Sequence, residues 1–353
     1  MTQILPSEDH QIQAISSNIL AHSTIKKQWS TWHQRLHGQI IANKSLLPYR
    51  ASLVLAISGG QDSMALVRLL SDLQHIYEWE LHLWHGNHRW RPDSDQVANE
   101  LAEWASEEKL SLCVSIPNRV LDSESIARQW RYECLINQAK RLGCEKIITA
   151  HTASDRAETL LLNISRGSDR HGMASLPNSR HFLYIDNVNL VRPLLNFSRQ
   201  DTAAICQEWK LPIWYDHTNE NLSFSRNRIR HRVLPILEEL HPGASLRISA
   251  LSSRLQEENQ TLSELLPLAI RSLTKPRHRH QLLRTELVSL SKSNQRHVLY
   301  EWIQRECNLN IKTSVLEQLI HRLPLSQGPG KLYLAAGWIL SWNRKYIVLD
   351  PNN

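Results

Sequence analysis

The stretch from Ala51 to Leu70, ASLVLAISGGQDSMALVRLL, constrains the fold more than any other part of the chain. Leu53 to Ile57 is a run of apolar and β-branched residues, the pattern of a strand covered on both faces of a parallel sheet. Ser58, Gly59 and Gly60 break the run, and Asp62, Ser63, Met64, Ala65, Leu66, Leu69 and Leu70 follow at helical spacing. A strand, a glycine turn and a helix N-terminus in that order present unpaired backbone N–H groups to an anion at the positive end of the helix dipole, with the Ser58 and Ser63 hydroxyls beside them. At Gly59 and Gly60 a side chain would hold a phosphate off the backbone. The turn reads as a phosphate loop.

No lysine stands in this turn, which excludes the nucleotide loop ending in Gly-Lys-Ser/Thr. Asp62 occupies the equivalent region. A carboxylate facing phosphates needs a divalent cation between them, so Asp62 implies Mg²⁺. The turn by itself leaves open a second reading, in which Asp62 only complements the helix dipole. SGGQDS is also the pattern of the PP-loop, the signature of ATP pyrophosphatases that split ATP between the α and β phosphates.

With 353 residues, 41% hydrophobic and 21% charged, the chain is long enough for two domains and has the composition of a soluble globular protein. Its sequence shows no apolar stretch of membrane-spanning length, and MTQILPSEDH lacks the order of a signal peptide, so no membrane partner is expected. The five cysteines (Cys113, Cys134, Cys144, Cys206 and Cys307) form no CxxC pair, which points to a reducing cytoplasm. A formal charge of +7 gives weak support to a polyanionic partner.

Along the chain, residues 1 to 50 form an N-terminal extension with one helix expected around Ile25 to Ala42. Strands are expected at Glu80 to His85, Leu110 to Ile116 and Lys146 to Ala150, with helices from Asp93 to about Lys109, Ser123 to Leu142 and Asp155 to Ser165 between and after them. This alternation predicts an α/β fold, a doubly wound parallel sheet over 51 to 240, whose ligands bind beyond the carboxyl ends of the strands. A hairpin-like piece (His181 to Ile185 with Asn189 to Arg192) and a helix from Ser198 or Asp201 to Lys210 follow. The alternation stops at Leu240-His-Pro-Gly243, which sets the expected boundary. Residues 241 to 353 read as a smaller, mostly helical domain: a helix from Ala244 to Leu273 interrupted by Pro267, helices at Gln295 to Glu306 and Thr313 to His321, and short C-terminal antiparallel strands.

Polar clusters fall at the strand ends. His85, Asn87, His88 and Arg91 follow the second strand; with no third ligand spaced to join the histidines, base stacking, phosphate contact or plain loop structure outweighs a metal site. Arg128 and Arg131 share a helix face with Tyr132 beside them, which by itself reads as a solvated face. Asp155 and Glu158 stand three apart at a helix start, either as a capping box or as two carboxylates beside the phosphate loop. Arg226, Arg228, Arg230, His231 and Arg232 read as phosphate contacts.

Taken in order, SGGQDS, His85-x-Asn-His88-x-x-Arg91, Arg128-x-x-Arg131-Tyr132, Thr149-Ala-His151 with Asp155-Arg-Ala-Glu158-Thr159, Arg192-Pro-Leu-Leu and Asp216-x-Thr-Asn219 with Arg226-Asn227-Arg-Ile-Arg230 resemble the tRNA(Ile)-lysidine synthetases over about residues 51 to 240. The final domain resembles the small substrate-binding domain of that family. Two positions depart from the family pattern: Ser154 replaces the first of its paired acids, and Asp169 stands where glycine is usual. The resemblance implies that ATP adenylates O2 of the first anticodon cytidine of a CAU-bearing tRNA(Ile) with release of diphosphate. Free L-lysine then attacks C2 and displaces AMP, leaving lysidine and changing decoding from AUG to AUA. It implies an ATP site of Ser58, Gly59, Gly60, Gln61, Asp62 and Ser63, with Mg²⁺ on Asp62 and Asp155 and catalysis by Asp62, Asp155 and Arg131. It places His85, His88, His151 and Glu158 near the lysine or the base, assigns tRNA contact to Arg91, Arg128, Arg166, Arg192, Arg226, Asn227 and Arg230, and allows a homodimer. The alternatives are a PP-loop tRNA thiolase, which would need cysteines or an iron–sulfur cluster, and a non-catalytic RNA-binding protein.

Overall fold

A computed structural model of the chain describes residues 29–168, 170–182, 188–216, 220–274 and 278–351. Two compact units divide it between Leu255 and Gln256, not at the expected Leu240-His241. Their border lies inside the helix Ala244–Leu273, because Glu238 caps that helix and ties it to the first unit: its carboxylate accepts the backbone N–H groups of Gly243 at 2.7 Å, Ala244 at 3.1 Å and Ser245 at 2.8 Å.

The first unit opens on α1 (Thr31–Ala42), where Ser30 caps the helix. Residues 25–28 of the expected helix lie outside the described residues. Leu36 and Ile40, four apart on one face, are buried in the same core as the phosphate-loop helix, so this helix of the expected extension is part of the sheet unit. β1 (Ser52–Ile57), β2 (Glu80–Gly86), β3 (Ser111–Ser115), β4 (Lys146–Thr149) and β6 (Asn189–Val191) are parallel, in the order 3-2-1-4-6, and β5 (Ser179–His181) pairs antiparallel with β6 at the edge. Connecting helices α2 (Gln61–Tyr77), α3 (Ser94–Glu107), α4 (Glu124–Leu142) and α5 (Ala153–Ser165) confirm the doubly wound reading, the last three with ends within two residues of those expected and α2 running seven residues past Leu70. Chain order reverses between β1 and β4, and there a crevice opens at the carboxyl ends of the strands. After the short α6 (Arg170–Met173) and the β5–β6 pair comes α7 (Arg199–Glu208), capped by Ser198 in a capping box with Asp201. Then α8 (Ser225–Arg228) runs through one π-helical turn, Ile229–Val233, into α9 (Leu234–Leu240). Ile185, Asp169, Thr218 and Asn219, named in the sequence analysis, lie outside the described residues.

The second unit, by itself, holds a four-stranded antiparallel sheet of Gln281–Leu283, Tyr346–Pro351, Trp338–Trp342 and Gly330–Tyr333, in that order, with helices Lys292–Cys307 and Thr313–Arg322. The first of these strands, and the helix Arg284–Ser289 after it, were not expected: both are too short to show a period. Pro267 does not interrupt its helix, because Leu266, Ile270 and Leu273 keep one face of it packed on the core of this unit around Trp302. Arg284 is buried there, its guanidinium donating to the carbonyls of Leu323, Pro324, Gln327 and Asn343 at 2.7–3.0 Å.

Candidate active site

β1 delivers the phosphate loop into the crevice. Gly59 has φ +79°, and a Cβ there would come within 3.2 Å of the Trp214 ring, so both conformation and space demand glycine. Trp214 is held over the loop by its backbone N–H to the Gly59 carbonyl at 3.0 Å and its indole N–H to Glu100 at 2.7 Å. The Ser58 hydroxyl accepts from the Gly60 N–H at 3.3 Å, which leaves the N-terminus of α2 open towards the cleft. Two expected ATP contacts also brace the loop, and Ser63 still lines the cleft. The buried Ser63 hydroxyl braces the turn by donating to the Gly60 carbonyl at 2.7 Å, and Gln61 donates to the Arg199 carbonyl at 2.7 Å and to the Thr202 hydroxyl at 3.0 Å, fastening α2 to α7.

Asp62 sits at the start of α2, accepts the Thr202 hydroxyl and has an Arg199 guanidinium nitrogen at 3.8 Å. Burial, and next the Asp155 carboxylate, push its carboxyl up to about 6 against the pull of Arg199, Thr202 and Arg230. Asp155 stands at the matching place after β4. One of its oxygens closes a capping box with Thr152, at 2.8 Å from the backbone N–H, and the other takes Arg226 at 3.0 Å and Arg230 at 3.3 Å. Burial works against its charge, but Arg226, His151, the Thr152 N–H and Arg230 outweigh it and hold the carboxyl below its ordinary value. Glu158, fully buried, accepts Arg226 at 2.7 Å and Arg230 at 2.6 Å. Four residues apart, the two arginines reach one carboxylate from one helix face, where the π-helical turn begins.

Arg226 and Arg230, expected as RNA contacts, have their guanidinium groups engaged by Asp155 and Glu158 in this structure. Two more expected tRNA contacts are turned inward. Arg192 is buried and donates to the Pro177 carbonyl at 2.7 Å; Asn227 is buried and donates to the Asn221 carbonyl at 2.9 Å. Arg166 is exposed but caps the C-terminal end of α5, away from Asp155.

The remaining expected residues line a cleft of about 350 Å³ that includes Ser58, Asp62, His85, His88, Arg91, Arg128, Arg131 and His151. His85 gives its Nδ1 proton to the Ile57 carbonyl at 3.0 Å, and burial lowers its pKa. His88 accepts from Arg131 at 3.0 Å, and burial and then Arg131 lower it to about 4; burial lowers His151 to about 3. All three imidazoles are therefore neutral at pH 7, able to hydrogen-bond a base or amine without repelling a cation. Arg128 is exposed over the Tyr132 ring at 5.3 Å, while Arg91 is shared with Asp93 and, at 3.6 Å, Asp216. Sequence reasoning missed Arg199, Thr202 and Trp214, which enter the site from distant positions with no motif; only the helix cap at Ser198 marked that turn.

A lysine-free glycine loop at the switch point of a doubly wound sheet, with one acid after it and a second after β4, defines a PP-loop ATP pyrophosphatase. The family model described as PP-loop domain matches residues 31–237. The tRNA(Ile)-lysidine synthase of Prochlorococcus marinus is 40% identical over 92% of this chain and 98% of its own length, and that of Parasynechococcus marenigrum 43% identical over 92% and 96%. The chloroplastic tRNA(Ile)-lysidine synthase of Pyropia yezoensis is 36% identical over 83% of this chain and 88% of its own. Among solved structures, the U34-tRNA thiolase of Methanococcus maripaludis shares the fold, at TM-score 0.54 and 15% identity over 64% of this chain and 77% of that one. The chain belongs to the tRNA(Ile)-lysidine synthase family of PP-loop enzymes.

Proposed function

We propose that this protein joins L-lysine to C2 of the first anticodon cytidine of tRNA(Ile) bearing the CAU anticodon, consuming ATP and releasing AMP and diphosphate. The observation that carries the reading is the pairing of a PP-loop with two differently tuned carboxylates, Asp62 and Asp155, across one crevice. Adenylation forms a bond from O2 of the base to the α phosphorus and breaks the bond to the diphosphate. The loop N–H groups and the dipole of α2 stabilise the phosphates as charge moves onto the leaving group.

Mg²⁺ fits these residues. Asp62 is a carboxylate whose pKa is raised by burial and then by the Asp155 charge, so it is short of positive charge. Among the described residues no set of three His, Cys, Asp or Glu gathers into an all-protein metal cage, and Mg²⁺ characteristically takes one or two carboxylates with substrate phosphates and water. Asp62 and Asp155 would hold it, and when bound it supplies neutralisation of phosphate charge.

Lysine arrives as an ammonium ion with an ordinary pKa of about 10.4 and must lose a proton before attacking C2. The neutral His151 lines the cleft and can accept a hydrogen bond there without repelling the ammonium, with the Asp155 carboxylate behind it. Arg128 and Arg131 at the rim face the anticodon backbone. We place the reaction in the cytoplasm; among the described residues no helix is long and apolar enough to cross a membrane. A homodimer is compatible with this scheme. Incubation with ATP, Mg²⁺, transcribed tRNA(Ile) and either labelled lysine or a sulfur donor tests it. Lysine incorporation dependent on ATP supports the reading, and sulfur incorporation or mere tRNA binding overturns it.

A further inference from the structure

We propose that Arg199 binds the diphosphate released from ATP, supplying the cation that the lysine-free PP-loop lacks. The proposal rests on the reading of this site as one that cleaves ATP between the α and β phosphates.

Three helices begin around Asp62: α2 at Gly60, α5 at Thr152 and α7 at Ser198. Their first turns are tied together by backbone and small side-chain groups. Gln61 of α2 donates to the Arg199 carbonyl at 2.7 Å, Thr202 of α7 donates to Asp62, and the Arg199 backbone N–H donates to the Ser154 hydroxyl of α5 at 3.1 Å. Ser154 is the position where the sequence departs from the paired-acid pattern. As serine, it holds the backbone of Arg199 and adds no negative charge beside it.

The anchoring uses the backbone of Arg199 and leaves its guanidinium at the loop. Arg199 Nη1 approaches Asp62 Oδ2 at 3.8 Å, beyond hydrogen-bond distance, and the side chain is 40% exposed. Arg226 and Arg230 differ: both make hydrogen bonds of 2.6–3.3 Å to buried carboxylates. Arg199 therefore keeps its planar donors for an oxyanion arriving at the loop, a geometry suited to bidentate phosphate contact. When O2 of the base bonds to the α phosphorus, the electron pair of the broken P–O bond leaves on the diphosphate. A guanidinium carried there on an anchored backbone stabilises the charge as it forms.

Calorimetric titration of the full-length protein with Mg²⁺-diphosphate, and separately with AMP, tests this in wild type, Arg199→Ala and Arg199→Lys. Arg199→Ala is expected to weaken diphosphate binding on the order of 10- to 100-fold, the range for hydrogen bonds to a charged group, with AMP affinity unchanged. Arg199→Lys is expected to keep part of the affinity. Diphosphate affinity unchanged in Arg199→Ala, or equal losses for diphosphate and AMP, overturns the proposal. A failure of the ATP-cleaving reading is seen elsewhere, as wild type releasing no diphosphate from ATP and tRNA while still binding it through Arg199.

Discussion

Asp62 and Asp155 occupy equivalent places, each in the first turn of the helix that follows a central parallel strand, yet their surroundings drive them in opposite directions. Around Asp62, burial and then the Asp155 charge push the carboxyl up to about 6, and positive charge is sparse: one hydroxyl and one guanidinium at 3.8 Å stand beside it. Around Asp155 it is abundant: against burial, Arg226, His151, the Thr152 N–H and Arg230 hold the carboxyl down. One carboxylate is thus short of a cation and the other already has its counter-charge. The environment separates the roles of two identical residues across one crevice, as in enzymes that divide acid and base work between like groups.

The largest expected effect breaks the first half of this contrast. Asp62→Asn removes the charge that faces the phosphates, and diphosphate release should fall about 1,000-fold or more, the several kcal/mol that metal-assisted charge stabilisation contributes. tRNA affinity, measured by filter binding, should stay nearly unchanged. A fully active Asp62→Asn enzyme would return Asp62 to the role of a dipole-complementing acid.

A second prediction sets the two aspartates against each other through stability. With chelator and without nucleotide, a carboxyl raised from 3.8 to about 6 binds protons more tightly in the folded state, so it costs stability above pH 6 and nothing below about pH 4. Asp62→Asn should then melt higher than wild type at pH 8, by on the order of 2–3 kcal/mol, with the gain vanishing as pH falls to 4. Asp155 has the opposite sign. Its depressed pKa stabilises the fold above the ordinary carboxylate range and loses that contribution as pH falls through the folded value, so Asp155→Asn should melt lower at pH 8. Loss of one partner from a buried ion pair sets that drop at about 3 kcal/mol, well beyond the few tenths expected were Asp155 only an N-cap. Scans of both variants from pH 4 to 8 check it, and shifts of the same sign would dissolve the contrast.

How much of this was legible in the sequence follows from how local each feature is. The strand, glycine turn and helix of residues 51 to 70 are set by contiguous residues, and so were the alternating elements to Leu240 and the acids of the crevice. The spacing of Asp155 and Glu158 reads as either a cap or a chemical pair. Asp155 closes the capping box and also shares two arginines with Glu158, a combination that spacing cannot reveal. Arg226 and Arg230 read as RNA contacts because sequence shows charge but not the carboxylates folded opposite it some seventy residues away. Arg199 and Trp214 carried no motif at all, since their importance comes from tertiary docking on the loop.

The smallest effect expected concerns those arginines and the rim. Each protein cation that displaces counterions from RNA phosphate adds a little under one unit to the slope of log affinity against log salt. Arg128 is exposed over Tyr132 at the cleft mouth, whereas Arg226 lies against two carboxylates, one of them wholly buried. Arg128→Ala should therefore reduce the salt slope of tRNA binding by about one, and Arg226→Ala should leave the slope unchanged while lowering the melting temperature. Filter binding at four salt concentrations separates the two. A slope that falls for Arg226→Ala and holds for Arg128→Ala would mean that the carboxylates release their arginine when RNA arrives, and the division between a charge-poor and a charge-matched half of the crevice would hold only without tRNA.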